Sequence, residues 1–241
     1  MCLDSLNFED GCEITVSEER PPQIYRGFDR SRLAPGMCDI GVFDSNHELS
    51  HGREILRSGQ MYESKENIKR IIDQVNGNPQ AEFSIINSLP GVTSDKMKIL
   101  RQHADQRYQR AVETGREGVD DLKIDLSKSE LISLIGIDPV SQLETAFADR
   151  CDEILIRRCQ AHGKFINFHT DVSLRTMQVA MNDDNEYKGG RLVFLSQDSL
   201  HAPKRPVGTV SIHENDIVHG VSMFEAGTRY GLFFFKKATK V

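Results

Sequence analysis

No pair of cysteines in this chain is spaced as a zinc ribbon or a disulfide ladder requires. Cys2, Cys12, Cys38, Cys151 and Cys159 are odd in number and far apart, which excludes a disulfide-stapled scaffold and points to thiols in a reducing compartment. There is no apolar run long enough to span a bilayer, and the opening MCLDSLNFEDGCEI carries acids where a secretory leader has a basic end and an apolar stretch. A soluble, cytoplasmic protein is the expectation. An excess of basic residues is missing too. Acidic residues outnumber basic ones, 36 to 30, so no general attraction to nucleic-acid phosphates is expected. Internal repeats and low-complexity tracts are absent. What remains is a chain of 241 residues, enough to bury one substantial core without covalent staples.

The pattern changes along the chain. Residues 1 to 45 read irregularly, with ERPPQ and APGM as breakers and a short strand at Ile14 to Val16. From about 46 to 162 the apolar periodicity is helical. Ile68, Ile71, Ile72 and Val75 fall at offsets of three and four between a cap at Ser64 and a stop at Gly77. Met97, Leu100, Ala104, Tyr108 and Ala111 form a second stripe between a cap at Ser94 and a stop at Gly115. Asp138-Pro139 opens a third helix, expected to bury Leu143, Phe147, Cys151, Ile154 and Leu155 against a sheet.

After Gly163 short alternating runs take over: KFINFHTD, RTMQVAMN, GRLVFL, GTVSIH, DIVHGVSMF and TRYGLFFF, separated by turn-forming stretches. Helices first and strands afterwards predict an α+β fold, an antiparallel sandwich or barrel buttressed by N-terminal α-helices. We divide the chain into an irregular and helical region over 1–125, packed on the core, and a core over 126–241 with its supporting helix.

In KFINFHTD, His169 and Asp171 are two apart on a predicted strand, so both side chains leave the same face. Such a triplet is common by chance. Its weight comes from His219 in DIVHGV on a later strand, and from Arg229 ten residues beyond it on the last one. Two imidazoles and one carboxylate on one side of an iron leave the other side open for cosubstrate and dioxygen, whereas a closed zinc site wants a fourth protein ligand. An arginine suits one carboxylate of a dicarboxylate, because its guanidinium is always charged and offers two parallel hydrogen bonds. His213 lies near His219 but lacks the HGV context, and we read it as structural. His47, His51, His103, His162 and His201 show no ligand-like spacing.

Together HTD, EYKGGRLVF, HENDIVHGV and GTRYGLFFF resemble the Fe(II)/2-oxoglutarate-dependent dioxygenase superfamily, especially its prolyl 4-hydroxylase-like branch, over roughly residues 160 to 237. The resemblance implies a double-stranded β-helix (jelly-roll) core with Fe(II) held by His169, Asp171 and His219, and with Arg229 on the 5-carboxylate of 2-oxoglutarate. It also implies Val221 as a small apolar contact to the cosubstrate. Gln178 becomes a hydrogen-bond partner for it, on a strand that turns Thr176, Gln178 and Ala180 to the barrel mouth and Met177, Val179 and Met181 away. The implied reaction consumes dioxygen and couples oxidative decarboxylation of 2-oxoglutarate to hydroxylation of an unactivated C–H bond, releasing succinate and carbon dioxide. Asp171 separates the chain from related halogenases, which carry a small residue there.

Three departures bear on the substrate. Ile166 stands where prolyl hydroxylases commonly carry a tyrosine, Gly231 where the plant and penicillin-synthesis branches carry a serine, and Phe233 to Phe235 where nucleic-acid demethylases carry a further arginine. A small-molecule or amino-acid substrate is therefore expected ahead of a protein, with Arg175, Arg191 and Arg205 as basic residues for its carboxylate. Nucleic acid and membrane are not expected partners. The alternatives are a peptide hydroxylase of prolyl-hydroxylase type, a catalytically idle jelly-roll module that binds a partner, and a non-haem iron enzyme that takes no 2-oxoglutarate.

Overall fold

Period-two runs and helical stripes sort the chain into sheets and a helical layer. The computed structural model describes residues 48–49, 82–160, 164–196 and 199–238; the strand expected at 14–16 and the helix expected at 68–75 lie outside them. The strands are β1 (Glu48–Leu49), β2 (Phe83–Ile86), β3 (Asp121–Leu126), β4 (Glu153–Cys159), β5 (Lys164–His169) and β6 (Arg175–Ala180), then β7 (Lys188–Gly189), β8 (Leu192–Ser196), β9 (Ser199–His201), β10 (Val210–Glu214), β11 (Val218–Ala226) and β12 (Arg229–Lys236). All pair antiparallel. One sheet has the order β2-β10-β6-β12-β4-β3; the other runs β1-β9-β8-β11-β5, with β7 also on β11. This is the jelly-roll architecture expected. The six runs read as strands after Gly163 all form strands.

The helices are α1 (Ser94–Glu113), α2 (Lys128–Ile135) and α3 (Ile137–Phe147). In α1 the cap is Thr93, one residue earlier than expected, its side chain accepting from the Lys96 N–H. Met97, Leu100, Ala104 and Ala111 are buried along its stripe. α2 was not anticipated. It starts with a reciprocal cap in which Ser127 Oγ accepts from the Glu130 N–H and Glu130 accepts from the Ser127 N–H.

α3 departs from expectation at both ends. It follows Gly136, whose φ of +92° favours glycine, so Asp138 and Pro139 occupy its first turn instead of its cap. It stops at Phe147, where Ala148 turns left-handed, and does not run on to Leu155. Residues 153–159 become β4 because β12 and β3 flank them and supply ladder hydrogen bonds on both edges. Alternation then splits two residues assigned to one helical stripe. Ile154 joins the helix-side core, and Leu155 faces the opposite way.

The outer face of the β2–β3 sheet carries Ile124, Ile156, Val179, Leu232 and Phe234 against Met97, Leu100, Leu131, Leu143 and Phe147 of the helices. Burying each large side chain contributes roughly 1.5–3 kcal/mol. A polar clasp pins α1 to this face: Arg158 and Tyr230 both donate to Asp105 Oδ1, at 2.9 and 2.6 Å, and the Arg158 guanidinium lies 3.7 Å from the Tyr108 ring centroid. Phe83 of β2 stacks on Phe194 of β8 at 4.1 Å and ties the two sheets together. The inner faces are left to line a cavity.

Candidate metal and cosubstrate site

β5 and β11 pair so that His169 and His219 are directly opposite, with ring centroids 4.4 Å apart. β5 ends at His169. Asp171 therefore lies past the strand, and its approach depends on the following turn, where strand pleating alone had been expected to set it. Its Oδ1 stands 3.5 Å from His169 Nε2 and 3.7 Å from His219 Nε2, and the donor atoms of all three residues lie within 4.8 Å of one another. Donors on adjacent corners of one six-coordinate ion are about 3 Å apart, so small side-chain adjustments suffice to close on a cation. Asp171 Oδ2 points elsewhere and accepts a 2.6 Å bond from Thr176 Oγ1, which leaves Oδ1 free for an ion.

Protonation states suit a metal. Burial holds His219 well below the ordinary imidazole value, with the neighbouring imidazoles His213 and His169 adding to the effect. Its Nδ1–H donates to the Ile217 carbonyl at 3.3 Å, so the lone pair sits on Nε2, toward Asp171. For Asp171 burial alone would raise the carboxyl; the His169 hydrogen bond, the charges of His219 and His213, and the Thr176 bond outweigh it and hold the group well below the usual carboxylate range. An ionised Asp171 carboxylate beside a neutral His219 imidazole suits a divalent cation.

A cavity of about 190 Å³ opens from these residues, lined from both sheets. Arg229, Gln178 and Val221 all line it. Arg229 donates to Gln178 Oε1 at 3.2 Å and has no carboxylate of a described residue within ion-pair distance. Gly231, next on the same face of β12, has no room for a side chain: a Cβ would come within 2.8 Å of the Phe233 ring and 3.4 Å of Gln178 Nε2, so glycine lets that ring lie against the strand. Thr176 and Gln178 face inward, while Met177, Val179 and Met181 belong to the helix-side core.

The three basic residues expected at the mouth are not among the lining residues. Arg175 pairs with Glu214, and Arg191 with Asp184 at 2.7 Å. Arg205 is 3% exposed and is packed beside Asp184 and Tyr187. Burial and then the charge of Arg229 push its guanidinium down to about 10, still a cation at neutral pH. Arg175 opens strand β6, and Arg191 and Arg205 sit in connections between strands, where spacing does not reveal whether a side chain points to solvent or inward.

Several lining residues were missed by the sequence reading. His213, read as structural, stands in register with Thr176, has its ring 4.3 Å from that of His219, and lines the cavity. Asp121 and Lys123 of β3, Leu155 and Arg157 of β4, and Phe233 and Phe235 of β12 complete the far wall. The signal for β3 was present: DLKIDL alternates strictly, and its burial alternates with it.

No family model matches the chain. Residues of this chain are 31% identical over 93 positions to a PKHD-type hydroxylase of Acinetobacter baumannii strain ATCC 17978, covering 33% of this chain and 40% of the relative; a PKHD-type hydroxylase of strain SDF matches equally. The chain thus spans 40% of the length of these curated relatives. Among solved structures, a Trichoplax adhaerens prolyl hydroxylase in complex with a hypoxia inducible factor peptide fragment superposes with a TM-score of 0.51 at 14% identity, over 73% of this chain and 95% of that one. HygX from Streptomyces hygroscopicus, with nickel and 2-oxoglutarate bound, gives 0.49 at 12% identity over 69% and 86%. The chain accordingly has the double-stranded β-helix fold of the 2-oxoglutarate/Fe(II) oxygenases, the superfamily its HTD, HGV and GTR motifs resemble.

Proposed function

We propose that this protein is an Fe(II)- and 2-oxoglutarate-dependent oxygenase that hydroxylates an unactivated C–H bond of a small molecule, releasing succinate and carbon dioxide. One observation carries the reading: His169, Asp171 and His219 converge at a cavity that Arg229 also lines, its guanidinium paired with no carboxylate among the described residues. His169 Nε2, His219 Nε2 and Asp171 Oδ1 would hold the iron, and Arg229 with Gln178 would receive the far carboxylate of 2-oxoglutarate. Bound together with 2-oxoglutarate and dioxygen, ferrous iron supplies the oxidising power for cosubstrate decarboxylation and C–H hydroxylation.

The chain's own groups do the rest. Thr176 keeps Asp171 turned so that one oxygen faces the imidazoles. Arg229 fixes the cosubstrate by a charge-assisted contact in a partly buried wall, where such a contact is stronger than in water. Val221, Ile166 and Leu192 exclude water from the inner end of the cavity.

Anaerobic titration with ferrous iron and 2-oxoglutarate tests this directly. A visible charge-transfer band on addition of both, and succinate formation once air is admitted, are expected. Absence of both signals with a folded protein would sink the reading.

A further inference from the structure

The far wall of the cavity carries charge that neither the metal site nor the cosubstrate uses. β3 and β4 set Lys123 directly opposite Arg157, and both line the same cavity as the His-Asp-His group. Like charges facing each other across an antiparallel pair are unfavourable unless something negative joins them. Asp121 serves Arg157 with two bonds, Nε to Oδ1 at 2.6 Å and Nη2 to Oδ2 at 2.8 Å. The Lys123 ammonium has no hydrogen bond or ion pair with any described residue. With the far carboxylate of 2-oxoglutarate on Arg229, Lys123 is the cation of this cavity still without a counter-charge.

Between Lys123 and the metal residues the wall changes from ionic to apolar. On its other side Arg157 pairs in register with Gly231, over whose backbone the Phe233 ring leans, 2.8 Å from where a Cβ would stand. Beyond lie Leu155, Phe233 and Phe235, the two rings nearly parallel at 9° with centroids 5.8 Å apart. Phe235 is in register with Thr176, which holds Asp171. A lane along this wall therefore runs from the Lys123 ammonium, past the Arg157–Asp121 ion pair, over aliphatic and aromatic side chains to the side of the metal site. Strands about 4.8 Å apart put β3 roughly 10 Å from β12, so what fills the lane is longer than the backbone of one amino acid.

Resting on the oxygenase reading, we propose that this wall is the substrate subsite and that the substrate is an elongated apolar or aryl-bearing molecule with a terminal carboxylate or phosphate. Lys123 takes the anion, and Leu155, Phe233 and Phe235 cover the body. The reacting carbon is held beside His169, Asp171 and His219. Of the basic residues expected from the sequence, Arg175 and Arg191 are ion-paired elsewhere and Arg205 is buried, and substrate selection falls to a lysine on a strand added at the sheet edge.

Calorimetric titration of the full chain with 6-phenylhexanoate, 6-phenylhexyl phosphate and the neutral 6-phenylhexanamide tests the subsite, each with and without Zn(II) and 2-oxoglutarate. At least one anion should bind about tenfold tighter than the amide, and whichever anion does so identifies the headgroup. Lys123→Met should erase that difference while leaving 2-oxoglutarate affinity within about twofold, and Lys123→Glu should turn the preference toward 6-phenylhexylamine. Equal binding of acid, phosphate and amide, no binding of any of them, or an anion preference that survives Lys123→Met would overturn the proposal. So would displacement of the anion by 2-oxoglutarate, which would place it on Arg229. Failure of 2-oxoglutarate to bind sinks the oxygenase reading alone, because the acid–amide comparison is read without cosubstrate as well. Lys123 is exposed, and unchanged melting of both variants separates loss of the subsite from loss of the fold.

Discussion

Asp171 turns one oxygen to Thr176 and the other to the imidazoles, and the proposed roles of the site residues can be tested one at a time. Thr176→Val removes the 2.6 Å bond to Oδ2 at nearly constant volume, and metal affinity should fall by about 10- to 100-fold, as when outer partners of metal ligands are lost. Calorimetry with Mn(II) measures this; unchanged affinity would mean that Thr176 does not orient the carboxylate. Arg229→Gln removes a charge from the cavity but none from the donor set, so 2-oxoglutarate binding should weaken by at least about tenfold with metal binding preserved. Parallel loss of both would make Arg229 a structural residue.

The buried histidines also set a pH dependence. Burial lowers the pKa of His213 and His219 and outweighs the opposing charge of Asp171, whereas an unfolded imidazole titrates near 6.5. Above that value both states are neutral. As pH falls through it, the unfolded chain takes up protons that the folded chain refuses, and stability is lost. Asp171, held below the usual carboxylate range when folded, acts in the same direction at lower pH. Its contribution is present above about 3.9 and is lost as pH falls through the folded value. The melting temperature of the metal-free protein should therefore drop between about pH 7.5 and about pH 5.5; a flat or rising profile over that interval would contradict the neutral histidines.

At the scale of elements, the helical layer holds the sheet whose inner face is the site. α2 links β3 to α3, and its reciprocal cap is local and exposed. Ser127→Ala should cost about 1 kcal/mol in urea unfolding, without effect on metal affinity. A change in metal affinity would show that α2 is coupled to the site. The helices also explain where the sequence reading went astray. EILIRRC, Glu153 to Cys159, has apolar residues at helical as well as strand offsets, and a short run of this kind is assigned by what flanks it. Its flanks are β12 from the far end of the chain and β3 from before α2. Neither pairing is a local property. DLKIDL had the opposite problem, a clear alternation set within a stretch whose overall periodicity was helical.

For the whole molecule, ligand binding to the folded state alone should appear as stability. Mn(II) together with 2-oxoglutarate, each at about 100 times its dissociation constant, should stabilise the protein by about 2.7 kcal/mol per independent site. Asp171→Ala should abolish the metal-dependent rise in melting temperature, and a variant that kept it would place the metal elsewhere. Among the described residues no helix is long and apolar enough to cross a membrane.

The sequence by itself determined the donor types, their order along the chain, the late β-rich half and the apolar stripe of α1. These depend on short-range periodicity and on side-chain chemistry, which a linear pattern carries. Tertiary structure alone decided that His213 lies against His219, that Arg205 turns inward, and that β3 and β4 furnish the far wall with Lys123, Arg157 and Leu155. Alternation states which residues share a face, but strand pairing across tens of residues selects the face's neighbours. That selection turned a pattern of donor residues into a cavity with the His-Asp-His group in one wall and Lys123 and Arg157 in another.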